Sequence, residues 1–84
     1  MSVEQFRDEI SAIDREIFAA VNRRLDVVAR LKRYKAENDI AFVDPNRETQ
    51  MVDDQVAAND GPLSEEGVRA FYAELLALTK RELG

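Results

Sequence analysis

The 84-residue sequence contains neither cysteine nor histidine, which removes thiol nucleophiles, disulfide staples, imidazole acid-base chemistry and the usual zinc ligand sets. Any chemistry has to come from Arg, Lys, Asp, Glu, Ser, Thr or Tyr. Glycine and proline are scarce, three and two respectively. They stand at Gly61, Gly67, Gly84, Pro45 and Pro62, so the chain before Pro45 carries no helix breaker. No apolar run approaches the ~20 residues of a membrane span, and the stretch from Met1 to Asp8 is charged. A net charge of -5 argues against nucleic acid or an anionic membrane as a general partner, because both select for a cationic surface. It leaves room for a local basic pocket. With 45% hydrophobic and 35% charged residues, the expectation is one soluble, cytoplasmic domain spanning residues 1–84, too short for two cores and too well mixed for a disordered tail.

The hydrophobic pattern predicts helices only. Positions 6, 10, 13, 17, 20, 24, 27, 31 and 34 alternate steps of four and three and hold Phe6, Ile10, Ile13, Ile17, Ala20, Arg24, Val27, Leu31 and Tyr34. A neighbouring stripe adds Val3, Val21 and Val28, which predicts one helix from about Val3 to about Glu37, stopped by Asn38-Asp39. After the short apolar segment Ile40 to Val43, Asp44 as N-cap and Pro45 in the first helical position open a second helix. It carries Met51, Val52 and Val56 and fades at Asn59-Asp60-Gly61-Pro62. Ser64 caps a third, with Glu65 and Glu66 at its positive end and an apolar stripe of Val68, Phe71, Tyr72, Leu75, Leu76, Thr79 and Leu83. The first helix spans roughly 50 Å, whereas a compact globule of this size has a diameter near 30 Å. An apolar face of that length needs a cover, and a second copy of the chain is the simplest one. The expected architecture is all-α, one very long and two shorter helices per chain, in an intertwined helical homodimer.

Several charges sit against the pattern. Arg24 lies on a seam of Ile17, Val21, Val28 and Leu31, where a buried guanidinium would need anionic partners. Lys35, eleven residues on, is rotated by only about 20° and displaced by about 16 Å, so two long side chains could converge on one small anion. Taken singly, each is also explained by snorkelling to water. Arg47 falls in the first turn of the second helix, where the macrodipole disfavours a cation, and Glu48 leaves the same turn. An ordinary solvated pair is the plain alternative. Arg7, about 26 Å from Arg24 along the helix, can reach the same ligand only from the other subunit of an antiparallel dimer.

This ordered set resembles a family. Arg7-Asp8-Glu9-Ile10 with Ile13-Asp14, then Arg24 and Lys35, then Asp44-Pro45-Asn46-Arg47-Glu48 is similar to the all-helical type II (AroQ-class) chorismate mutases, over nearly the whole chain from Phe6 to Leu83. The resemblance implies an intertwined dimer that rearranges chorismate to prephenate with no cofactor and no metal. It implies that Arg24 and Arg47, with Arg7 donated across the interface, clamp the two carboxylates of chorismate. Lys35 would meet the ether oxygen and a carboxylate, Glu48 would accept the substrate hydroxyl, and Asp44 would lie near that hydroxyl. Guanidinium groups bind carboxylates in bidentate geometry, so a dianionic substrate suits such a cluster.

The sequence also departs from that family. Leu83 stands where relatives have Gln or Glu touching the ether oxygen, Thr79 where they often have Ser, and Lys32 where many have Gly. The ending Thr79-Lys80-Arg81-Glu82-Leu83-Gly84 looks like the short actinobacterial members. That likeness implies weak activity, raised by a complex with the 3-deoxy-heptulosonate phosphate synthase of the same pathway. Its terminal position separately predicts a frayed segment from Arg81 to Gly84. Two alternatives share the pattern: an isochorismate-pyruvate lyase, and a non-catalytic helical dimerisation or adaptor module whose charged seam sets register.

Overall fold

The computed structural model describes every residue from Met1 to Gly84 and consists of three helices and no strand: α1 (Val3–Glu37), α2 (Pro45–Ala58) and α3 (Glu65–Leu83). All three fall where hydrophobic spacing and capping residues put them. The chain divides into two units, Met1–Tyr34 and Lys35–Gly84.

The first unit is the bulk of α1. Its start is fixed by a reciprocal cap: Gln5 N–H donates to Ser2 Oγ at 3.2 Å, and Ser2 N–H donates to Gln5 Oε1 at 2.7 Å. The Ser-x-x-Gln spacing satisfies two of the orphan donors of the first turn. No residue of α1 is buried. Phe6, Ile10, Ile13, Ile17, Val27, Leu31 and Tyr34, the seam expected from spacing, are exposed by between 43% and 58%. Phe18, off that seam, is more exposed still.

The second unit begins with the end of α1. There Asp39 takes a left-handed conformation (φ 55), and Ile40 N–H donates to Lys35 O at 2.8 Å. This is the six-to-one bond of a Schellman ending, which turns the chain at the polar stop Asn38-Asp39. Asp44 then caps α2, its side chain accepting from the N–H groups of Asn46 and Arg47, with Pro45 at the helix start. Asn59 closes α2, and its Nδ2 donates to Leu63 O at 2.8 Å, bracing the connection to α3. Ser64 Oγ accepts from Gly67 N–H at 3.0 Å to begin α3.

Helices α2 and α3 pack together as a helical hairpin, as the short connection demands. The buried side chains are Val68, Tyr72 and Thr79 on one face of α3, flanked by half-buried Met51, Val52 and Val56 of α2. Phe71, expected in the same stripe, is exposed. Arg69 crosses between the helices, 3.1 Å from Asp53 and 3.3 Å from Glu65. The hydrogen bond to Asp53, then that to Glu65, raises its pKa above the ordinary guanidinium value, so it remains a cation throughout.

One local expectation is corrected. The segment Arg81 to Gly84, expected to fray, is helical to Leu83, and Gly84 (φ 81) donates its N–H to Lys80 O at 3.0 Å. A terminal glycine in the left-handed region is a helix cap, and Lys80 and Arg81 suit the negative end of the dipole.

Asp39 carries a Cβ in a conformation that favours glycine and a carboxylate near the negative end of α1. Asp39→Gly is therefore expected to stabilise the fold by roughly 0.5–1 kcal/mol. Urea unfolding at fixed protein concentration measures this, and a lowered midpoint would show that the Asp39 side chain makes a compensating contact.

Candidate active site

Among the residues singled out from the sequence, Lys35, Asp44, Arg47, Glu48, Thr79 and Leu83 belong to the second unit, and Arg7 and Arg24 to the first. In the first unit Arg7 lies near the start of α1, 3.3 Å from Glu4, with both side chains largely exposed. Such a surface pair holds its members loosely. Arg24 is half-buried in the middle of α1. Seventeen residues of helix separate the two, about 26 Å, beyond the combined reach of two side chains meeting on one small molecule.

In the second unit the cap of α2 organises the site. Asp44 Oδ1 accepts from Asn46 N–H at 3.1 Å and from Arg47 N–H at 3.3 Å. One carboxylate thereby satisfies two orphan donors and fixes where Arg47 and Glu48 leave the first turn. Arg47 is exposed and Glu48 half-buried. Glu48 Oε1 lies 3.8 Å from Lys80 Nζ on α3. Sequence reading missed Lys80. Its only signal was the hairpin, since antiparallel α2 and α3 bring the first turn of one beside the last turns of the other.

Lys35, half-buried in the last turn of α1, donates from Nζ to Phe42 O at 3.2 Å and stands 5.9 Å from the centroid of the Phe42 ring. Phe42 was not among the candidates either. Thr79 is buried and donates from Oγ1 to Leu75 O at 2.7 Å, so its hydroxyl proton is engaged within its own helix. Leu83 is half-buried and brings no polar side-chain group. Chemically the set offers guanidinium and ammonium groups for an anion and a carboxylate as hydrogen-bond acceptor. It contains no thiol or imidazole.

The chain matches the family model described as chorismate mutase type II over residues 6–82. It is similar to form I of the chorismate mutase from Thermus thermophilus, with 27% identity and a TM-score of 0.88 over 92% of this chain and 96% of that one. Form II of the same protein is 26% identical, with a TM-score of 0.89 over 94% of this chain and 90% of that one. No curated protein matches the chain.

The capping geometry at Asp44 yields a prediction separable from catalysis. Asp44→Ala should lower stability by about 1 kcal/mol, while Asp44→Asn, an equally good cap, should stay within a few tenths of a kcal/mol. Equal urea midpoints for Asp44→Ala and the parent chain would show that Pro45 alone sets the start of α2.

Proposed function

The chain belongs to the chorismate mutase type II family, and we propose that residues 1–84 form one catalytic domain that rearranges chorismate to prephenate as a homodimer, on the route to phenylalanine and tyrosine. The observation that carries this reading is the family match over nearly the whole chain, with the cationic residues in order along it. In this rearrangement the ether C–O bond breaks as a C–C bond forms within the same molecule. No proton, electron or group enters or leaves, and a protein without cysteine or histidine is equal to the task. What the protein supplies is a compact reactive conformer and positive charge beside the ether oxygen, where negative charge develops.

In the proposed site Arg24 and Arg47 of one subunit and Arg7 of the other bind the two carboxylates in bidentate fashion. Lys35 faces the ether oxygen and a carboxylate, Glu48 accepts the substrate hydroxyl, Asp44 lies near that hydroxyl, and Thr79 and Leu83 line the pocket. The partly exposed Glu48–Lys80 pair at 3.8 Å is weak enough to leave the carboxylate available.

The second copy is supported by surface. The chain exposes 6741 Å² for a mass of 9.6 kDa, against roughly 5,100 Å² for an ordinary folded monomer of that size. The excess, on the order of 1,600 Å² per chain, is what a large obligate interface covers, and the exposed seam of α1 is apolar enough to form one. A finer part of the proposal concerns a partner. Leu83 gives the departing ether oxygen no hydrogen-bond donor, a deficit of roughly 2–4 kcal/mol in the transition state. A synthase of the same pathway, docking on the last turn of α3, would raise kcat/KM by redirecting Glu82 or the nearby backbone. Activity assayed with and without that synthase tests this, and equal rates would remove the partner from the reading.

Arg24→Ala and Arg47→Ala should each lower kcat/KM for prephenate formation by on the order of 10²-fold or more, and Arg7→Ala comparably. Mixing Arg7→Ala with Arg24→Ala chains, each shown by light scattering to be dimeric, should restore one intact site per heterodimer. Absence of recovery after verified subunit exchange would place Arg7 in its own chain's site or in none.

A further inference from the structure

Lys35 is anchored by a residue outside the proposed catalytic set. Its Nζ donates to the backbone oxygen of Phe42 at 3.2 Å and stands 5.9 Å from the centroid of the same residue's ring. Both side chains are partly shielded from solvent. The two contacts are of different kinds: one is a hydrogen bond to a carbonyl, the other the attraction of a cation to the negative face of an aromatic quadrupole, effective within about 6 Å. They come together because the chain reverses at Asp39, in its left-handed conformation, so that the segment after α1 returns alongside the last turn of the helix. The next residue but one, Asp44, is pinned as the cap of α2. Phe42 is thus tethered on both sides to fixed structure.

An ammonium group has three N–H donors and no acceptor. One donor is engaged by Phe42 O, and two remain, the number needed for the ether oxygen and the carboxylate oxygen that the proposed function assigns to Lys35. A lysine side chain held at its tip no longer samples its many rotamers. The ring beside it excludes water from one flank, where hydration would otherwise weaken the charge felt by the substrate. From this geometry we propose that Phe42 is a positioning residue for Lys35: its carbonyl and ring hold the ammonium in place before substrate arrives, so that positive charge is preorganised where the ether oxygen departs. The proposal rests on the catalytic reading of Lys35, and the test separates the two.

Phe42→Leu keeps the carbonyl and an apolar side chain but removes the aromatic face. It should lower kcat about 3- to 10-fold while KM stays within about twofold, because the lost contribution is realised in the transition state. Phe42→Tyr, which keeps the face, should stay within about twofold of the parent. Replacing Phe42 by phenylalanines of increasing ring fluorination drains the quadrupole at nearly constant shape and keeps the test available should Phe42→Leu fold poorly. The expected result is a stepwise fall in kcat at unchanged urea midpoint. In a Lys35→Met background the loss from Phe42→Leu should vanish, since there is no ammonium left to position. A flat fluorination series, or losses that multiply in the double variant, would overturn the proposal while leaving Lys35 catalytic. A Lys35→Met chain with parental kcat would instead overturn the reading beneath it.

Discussion

A helix of 35 residues is about 52 Å long, and the chain that carries it buries just two apolar side chains, Val68 and Tyr72. Ordering 84 residues costs on the order of 100 kcal/mol in conformational entropy, and burial on that scale cannot offset it. The rest of the molecule follows from this mismatch between length and core. The apolar seam of α1 has to be covered for the fold to persist, and a second copy covers it in the proposed assembly. In that proposed assembly, with two long helices antiparallel, the start of one lies beside the middle of the other. Arg7, too far from Arg24 to share a ligand within its own chain, then becomes the partner's Arg7 in each proposed site. In the proposed assembly, stability and site formation are therefore one event.

Two of the cations assigned to the proposed site are partly covered. Arg24 and Lys35 are half-buried, in surroundings where a charge is costly to desolvate, whereas Arg69 meets two carboxylates at the surface. A fold that needed only solubility would keep its cations in positions like that of Arg69. Charge placed beside apolar neighbours is weakly screened, and a reaction that needs positive charge at a developing oxyanion, with no proton moved, benefits from that setting more than from any acid or base.

Much of this was legible in the sequence, for local reasons. The absence of glycine and proline before Pro45 defines α1, Asp44-Pro45 starts α2, Ser64 starts α3, and Asn38-Asp39 marks the stop that the left-handed Asp39 provides. The residues missed need information that spacing does not carry. Lys80 meets Glu48 only through the register of the α2–α3 hairpin, and Phe42 meets Lys35 only because the backbone reverses between them. The Ser2–Gln5 cap is legible as Ser-x-x-Gln spacing ahead of the first apolar residues of the seam. The last turn of α3 is not legible, because a glycine suits a loose end and a helix cap equally, and here Gly84 donates its N–H to Lys80 O. The roles of the individual arginines came from family likeness, since periodicity marks a charge as misplaced without saying what it binds.

Two residues of the proposed site sit at opposite helix ends with opposite electrostatic consequences. Lys35, in the last turn of α1, is favoured by the negative end of that helix. Arg47, in the first turn of α2, faces the positive end of its own helix and is disfavoured by roughly a few tenths of a kcal/mol. For an anion the sign reverses: a carboxylate approaching Arg47 meets the guanidinium and the helix terminus as sources of the same attraction. If Arg47 binds the carboxylate assigned to it in the proposed site, binding relieves this slightly unfavourable arrangement, and a ligand that binds only the folded state stabilises it in proportion. In the proposed site, a cation at the wrong end of a helix is accounted for by the charge of the carboxylate assigned to it, and Asp44, by capping that end, holds the first turn of α2 formed.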